Sequence, residues 1–298
     1  MSGLVAVDLG RPRAWRRGLS RFLSVSGKSG LLIGGIVLVG ISMTALLADW
    51  IAPHDPYAQD LTKRFVAPCW LEGSHPAHRL GTDGFGRDYL SRLIFGARVS
   101  LLIGLSVAAI AGGIGTVLGM ISGYFGGKLD IAITFLISTR LSLPVILVVM
   151  AVLVVLGSTP TIVVVTLGLL LWEQVAVVLR TATQQVRQCD FVTAARLAGS
   201  SHGRIMLAEV LPNLLGPLAV VTTAVVADAI LLEAALSFLG FGIQEPIPSW
   251  GLMLAKGREQ ILFETWLVAL PGAALLALVF SICLVGDGLR DMLTPDAQ

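Results

Sequence analysis

Six apolar runs, each long enough to cross a bilayer, leave this chain few folds to choose from. A helix needs roughly 20 residues to traverse the hydrocarbon. Runs of that length lie near 30–52, 98–122, 131–157, 161–180, 213–240 and 265–288. Lipid offers no hydrogen-bond partners, so each span must satisfy its own backbone as a helix. The expected fold is an all-α membrane protein with six transmembrane helices. Composition agrees, with 55% hydrophobic and 13% charged residues against about 25% charged in an ordinary soluble domain. The formal net charge of +2 gives no footprint for nucleic acid. Cys69, Cys189 and Cys283 are far apart and make neither a metal spacing nor a disulfide framework.

Charge placement sets the expected topology. Residues 1–29 carry Arg11, Arg13, Arg16, Arg17, Arg21 and Lys28 against Asp8. The positive-inside rule then puts this basic tail in the cytoplasm, against anionic lipid, and six crossings return the C-terminal tail, 291–298, to the same side. A cleaved signal peptide is disfavoured, because the run after the tail is long enough to span and no A-x-A site follows. Gly27-Lys28-Ser29 resembles the end of a phosphate loop, but Phe22 stands where that loop needs Gly. The inward loops hold Lys128, Arg180, Arg187, Arg196, Arg204 and Arg290, and the outward loop 241–264 only Lys256 and Arg258. Loop 53–97, which with the first span forms an N-terminal unit 30–97, mixes both signs. Trp50 and Trp266 are expected in an aromatic belt at run ends.

Features within the runs refine this picture. Gly104, Gly112, Gly113, Gly115, Gly119 and Gly123 crowd the second run and predict close helix packing. Pro144 predicts a kink, and a candidate hinge, in the third. Gly157-Ser158-Thr159-Pro160 predicts a tight outward turn. Arg140, Glu173, Asp228 and Glu233 lie inside spans, where charges line a path or pair internally, for example Arg140 with Glu173. His75 and His78 are separated by Pro76 and do not by themselves make a metal site.

The stretch 190–212, DFVTAARLAGSSHGRIMLAEVLP, is too charged to cross. Phe191, Ala194, Ala195 and Ala198 make a narrow helical face of mostly small residues. Asp190 is the expected N-cap, Gly199 the left-handed stop, Ser201 the cap of a second short helix and Pro212 its end. Such a helix is either an interfacial connector or a docking element for another protein.

Here the chain resembles the EAA loop of ABC-importer membrane subunits. Ala194, Ala195, Gly199 and Pro212 match that pattern, and Thr193 replaces its usual Glu. The resemblance implies that 190–203, within a loop 181–212 between spans 4 and 5, is a coupling helix seated on an ATPase subunit. Asp190, Phe191, Thr193, Ala194, Ala195, Arg196, Ala198, Gly199 and Arg204 would carry the coupling, with Asp190 a stand-in carboxylate. A second match runs from His78-Arg79-Leu80-Gly81-Thr82-Asp83 through Gly86-Arg87-Asp88 to Ser91-Arg92-Leu93-Ile94-Phe95-Gly96-Ala97-Arg98. It is similar to a signature of the dipeptide/oligopeptide/nickel branch, C-type subunits. A third covers Glu233-Ala234-Ala235-Leu236-Ser237-Phe238-Leu239-Gly240, then Pro246, Pro248, Trp250 and Gly251, and a fourth covers 286–291. It implies an outward lip over 243–264, with Pro246, Pro248, Trp250 and Met253 at the surface where a solute-binding protein docks. Arg140 is a departure, since the family usually has an apolar residue there; Phe135 and Ser138 replace an Arg and an Asp.

The expected protein is thus a permease subunit of a binding-protein-dependent ABC importer, with a five-span core at 98–290. The resemblance implies a homologous second permease chain, two ATPase subunits that bind the ATP and Mg, a solute-binding protein, and alternating access. This chain carries no Walker loop, catalytic constellation or cofactor site of its own. Dipeptides, longer peptides, glutathione-like compounds, opines and chelated nickel all fit the branch. The rivals are a stand-alone secondary transporter with a coupling-ion site in broken helices, and a membrane scaffold or sensor.

Overall fold

The computed structural model describes residues 13–293, with side chains from 29 onward. The basic tail through residue 28, with its phosphate-loop look-alike, and 294–298 lie outside the described side chains. Among the described residues the fold is helical, with isolated bridges only at Ala67–Ser74 and Thr82–Asp88. Five helical stretches are long and apolar enough to span, or six if a bent pair is counted as one span.

The N-terminal helix α1 (Arg13–Leu46) supplies the first span, and a turn, α2 (Ala48–Ile51), follows it. Residues 52–88 are mostly irregular. The next helix, α3 (Tyr89–Phe125), starts earlier than the apolar run at 98. Asp88 explains this, because its carboxylate caps the helix by accepting the Ser91 amide at 2.9 Å. Arg92 and Arg98 then enter the helix already paired: Arg98 reaches Asp49 at 2.8 Å, and Arg92 meets Asp83 and Glu245. At 37 residues and about 1.5 Å per residue, α3 is the axis of the bundle.

Three of its glycines form a groove. Gly115, Gly119 and Gly123 recur every fourth residue, and the helix that fills the groove is α7 (Trp172–Val186). A Cβ on Gly119 would lie 2.8 Å from the Ala176 carbonyl oxygen, so only glycine permits this approach. Gly104 does the same against Val226 and Ile230, whereas a Cβ on Gly112 or Gly113 would meet nothing within 4 Å, so neither marks a close helix approach.

The third run is a broken element rather than a kinked span. It divides into α4 (Gly127–Leu141) and α5 (Val145–Leu156), set 80° apart. Pro144 lacks an N–H and disfavours helix at Leu143, which is what stops α4. Neither piece reaches the roughly 20 residues a span requires. The fourth run is α6 (Pro160–Gly168) and α7, which together make one 27-residue span. It runs past the expected end at 180 because Arg180 is neutralised by Asp130 of α4, Nε to Oδ1 at 2.5 Å. The turn before α6 is as expected: Gly157 has φ +89° and Thr159 caps the helix.

Beyond α7 lie α8 (Asp190–Leu197) and α9 (His202–Arg204), which continues through a π turn (Ile205–Val210) into α10 (Leu211–Phe238). Two expectations are corrected here. Cys189, not Asp190, holds the N-cap position, and no side chain caps α8. Pro212 does not close a short helix; it sits in the first turn of α10, where its missing N–H costs little. Gly199 at φ +78° and Ser201 as cap of α9 are as expected. The chain ends with α11 (Trp250–Arg258) and α12 (Trp266–Leu293), the latter packed on α1 at Gly34 and Gly288.

The spans run end to end, so the bundle has two distinct ends. One holds 52–88, the 157–160 turn and 239–265, tied by Ser158 donating to the Phe241 carbonyl at 2.9 Å. The other holds 187–204, beside the end of α3 and the starts of α4 and α10.

Candidate functional site

At the second end, α8 is seated by Val192, which is fully buried, while Phe191, Ala194, Leu197 and Ala198 are exposed. The outward surface therefore carries apolar side chains, with Leu197 85% exposed. Asp190, Thr193, Arg196 and Arg204 are exposed as well, and Ala195 is half-buried. The seat is stiff. The Arg196 guanidinium lies 5.1 Å over the Tyr124 ring, and the Tyr124 hydroxyl meets His202 Nδ1 at 3.1 Å. Of the expected coupling residues, Asp190, Phe191, Thr193, Ala194, Arg196, Ala198, Gly199 and Arg204 are exposed at this end of the bundle. Sequence reasoning missed Leu197, which falls outside the small-residue face yet is the most exposed apolar side chain of α8, and it missed Val192 as the anchor.

Within the bundle, Arg140, Glu173, Gln174 and Asp228 line one cavity of about 470 Å³ with Pro144, Leu171 and Leu231. The break before Pro144 puts Arg140 at its wall, where Nη1 donates to the Leu143 carbonyl at 3.1 Å. Arg140 and Glu173 approach only to 3.8 Å, and Arg140 Nε and Nη2 and Glu173 Oε2 have no hydrogen-bond partner. Asp228 accepts from Gln174 Nε2 at 3.0 Å. The expected internal pair is thus loose, and the cavity presents a guanidinium and two carboxylates. Glu233 does not join them and has no cationic partner among the described residues. It is wholly buried, and its Oε1 accepts from Ser237 at 2.6 Å and Ser249 at 3.2 Å. Those serines hold the loop after α10, since Ser237 Oγ also accepts the Ile243 amide.

At the first end, a charged clasp joins residues far apart in sequence. Arg87 grips Glu245 with both terminal nitrogens, at 2.5 and 3.0 Å, and reaches Asp83 through Nε at 2.7 Å. Burial alone would lower the Arg87 pKa, but the Glu245 hydrogen bond and the Asp83 charge outweigh it and raise it. For Glu245 burial opposes ionisation, yet the Arg87 hydrogen bond and the charges of Arg92 and Arg87 hold its carboxyl below the usual range. Glu245 was not singled out in sequence, because its partner lies in another loop.

The lip departs from expectation. Trp250 and Met253 are buried, not at the surface, at 2% and 4% exposure. Trp250 donates Nε1–H to the Leu93 carbonyl at 2.9 Å and fills the space that Gly96 leaves open. Pro248 is buried and Pro246 exposed. The exposed apolar residues here include Ile261, Leu262 and Phe263. Trp266 is likewise no belt residue: it packs edge-on to Tyr89 and donates to Glu264 at 2.7 Å. Trp50 is exposed, as a belt requires.

Comparisons with known proteins fit this architecture. Residues 115–298 match the binding-protein-dependent transport system inner membrane component family, and 14–68 match the N-terminal TM domain of oligopeptide transport permease C. The chain is 39% identical over 266 residues to the dipeptide transport system permease protein DppC of Haemophilus influenzae, covering 89% of this chain and 90% of that one. It is 42% identical to the di/tripeptide transport system permease protein DppC of Pseudomonas aeruginosa, covering 91% and 90%. In fold it is similar to a chain of the MetNI methionine ABC transporter in inward-facing conformations, with TM-score 0.55, 17% identity, and coverage of 68% and 96%. With an all-helical bundle, family matches along most of its length and permeases as its relatives, this chain belongs to the binding-protein-dependent transport system inner membrane components, in the branch of the peptide permeases, and is a multi-pass inner-membrane subunit rather than an enzyme.

Proposed function

We propose that the chain forms one half of the translocation pathway of an ATP-driven importer for dipeptides or short oligopeptides. The observation that carries this reading is α8: an exposed helix bearing Phe191 and Leu197 among polar side chains at one end of the bundle, held to α3 by the Arg196–Tyr124 contact and followed, after the Gly199 turn, by the continuous helix that includes α10. ATPase subunits docked there would drive α8, and through α9 and the π turn would move α10, which lines the charged cavity. ATP and Mg would reside in those two subunits.

Charge supports the orientation. The basic tail ahead of the first span, with Arg11, Arg13, Arg16, Arg17, Arg21 and Lys28, would put the α8 end in the cytoplasm by the positive-inside rule, and Lys128, Arg187, Arg196, Arg204 and Arg290 share that end, whereas the basic residues of loop 53–97 are offset by Asp55, Asp60, Glu72, Asp83 and Asp88. The opposite end, where Leu262, Phe263 and Pro246 are exposed, would receive a peptide-binding protein. A homologous second permease chain fits the apolar side chains left exposed on α4 and α5, such as Phe135, Leu147 and Val155. A peptide carries an ammonium and a carboxylate. Asp228 and Glu173 suit the first, and Arg140 suits the second.

The test is uptake and peptide-stimulated ATPase activity in proteoliposomes with the cognate binding protein. Leu197→Asp should abolish ATPase retention and uptake together. Arg140→Ala should leave ATPase retention intact and change peptide KM or transport. Unchanged transport in both variants would overturn the reading.

A further inference from the structure

The end of the bundle opposite α8 holds a group of side chains that the transport reading does not use. His54, His78 and Asp88 offer three ligand atoms that all lie within 4.8 Å of one another. Asp88 Oδ1 is 2.9 Å from His78 Nδ1 and 3.6 Å from His54 Nδ1. We propose that His54, His78 and Asp88 form a binding site for a divalent cation of the zinc type.

Four observations carry this. First, the two separations from Asp88 are close to those around one ion, and the third, within 4.8 Å, closes with a small turn of the partly exposed His54 ring. Two ligands each about 2.1 Å from a tetrahedral metal stand roughly 3.4 Å apart, and 2.9 and 3.6 Å bracket that value. Second, the carboxylate is held ready. Asp88 Oδ2 is occupied by the Ser91 amide at 2.9 Å and the Ser91 hydroxyl at 2.7 Å, which leaves Oδ1 to the imidazoles. Supporting hydrogen bonds of this kind orient metal ligands. The same Ser91 hydroxyl accepts the His54 amide at 3.1 Å, so one side chain positions two of the three ligands. Third, Asp88 and His78 are buried while the His54 side chain is 38% exposed. That leaves a coordination position for water, with an approach through a cavity of about 460 Å³ lined by Asp49, His54 and Asp55. Fourth, the donor set is selective. Two imidazoles and one carboxylate suit zinc, cobalt and nickel, whereas calcium and magnesium take oxygen ligands.

His75, the neighbour suggested by sequence spacing, is outside the set. Its ring centroid is 5.9 Å from that of His78, and its Nδ1 accepts the Ala77 amide at 3.2 Å. A bound cation would join the exit of the first span, the loop and the start of α3.

The test uses the full chain purified with the subunits it retains, its affinity tag removed, stripped with EDTA and titrated with Co²⁺ as spectroscopic probe. The expected result is the visible d–d spectrum of a nitrogen–oxygen site, saturating one equivalent above the His54→Ala protein and displaced by Zn²⁺. His54→Ala should lose affinity by more than the roughly 10–100-fold that outer partners of a ligand command, while His75→Ala binds as wild type. His54 is partly exposed, so its variant tests binding without the helix-cap loss that Asp88→Asn brings. Wild type without a cobalt spectrum, His54→Ala equal to wild type, or His75→Ala deprived of the site would each overturn the proposal and leave a hydrogen-bonded triad only.

Discussion

The two ends of the bundle handle charge and apolar surface in opposite ways. At the clasp end, Arg87, Arg92, Asp83 and Glu245 are drawn inward and satisfied by one another, and Trp250 is buried against Gly96. At the α8 end, Phe191, Leu197 and Arg204 are exposed, and within α8 Val192 is buried with Ala195 packed partly against the core. A charge signature in a loop and a small-residue helix look alike as surface features in a sequence. Here one is internal scaffolding and the other is a free face, which is what a partner needs.

The largest expected effect that would break this contrast is at the clasp. Arg87→Ala leaves the Glu245 carboxylate without its main partner, and breaking such a buried pair costs about 3–5 kcal/mol. Thermal unfolding in detergent should show a large loss, and the double variant Arg87→Met with Glu245→Leu should recover part of it. A small loss for Arg87→Ala would make the clasp a surface feature after all. Next comes Trp250→Ala, which empties the space beside Gly96 and should cost about 3–5 kcal/mol less any relaxation of the loop. A surface lip tryptophan would cost almost nothing in the same assay.

A pH experiment sharpens the comparison more gently. The folded pKa of Glu245 is depressed, so its stabilising share is complete above the ordinary glutamate pKa and is lost as pH falls through the lower folded value. The Tm advantage of wild type over Glu245→Gln should therefore shrink on acidification and stay level from neutral pH upward. Asp60, held down to about 2 first by its Thr62 hydrogen bond, behaves in the same direction but has its side chain 41% exposed, so its effect should be slight. The smallest stability effect belongs to α8. Leu197→Asp should move unfolding by no more than about 0.5 kcal/mol, yet release a co-purifying ATPase. Loss of stability there would show that Leu197 is packed within the chain.

Much of the fold is legible in the residues. Span number follows from run length, the α3–α7 groove from Gly115, Gly119 and Gly123, and the stop of α8 from Gly199. The errors share a cause. Asp190 satisfies the rule for a cap, but the chain enters α8 one residue earlier. Pro212 ends helices in general, but the widened π turn ahead of it lets α10 begin there. Trp250 looks like an interface residue until Leu93 and Gly96 are placed beside it. The third run is apolar throughout, so composition hides the 80° bend at Pro144.

Hydropathy, glycine spacing and proline positions are local quantities, and they alone determined that this chain is a helical membrane bundle with a polar, helix-bearing loop. Which side chains meet was decided by tertiary structure. Arg87 finds Glu245, His54 finds His78, and Arg140 shares a cavity with Asp228 only because packed spans bring distant loops and helix faces together. Burying a charge is tolerable only where a partner waits, and the identity of that partner is a property of the assembled bundle.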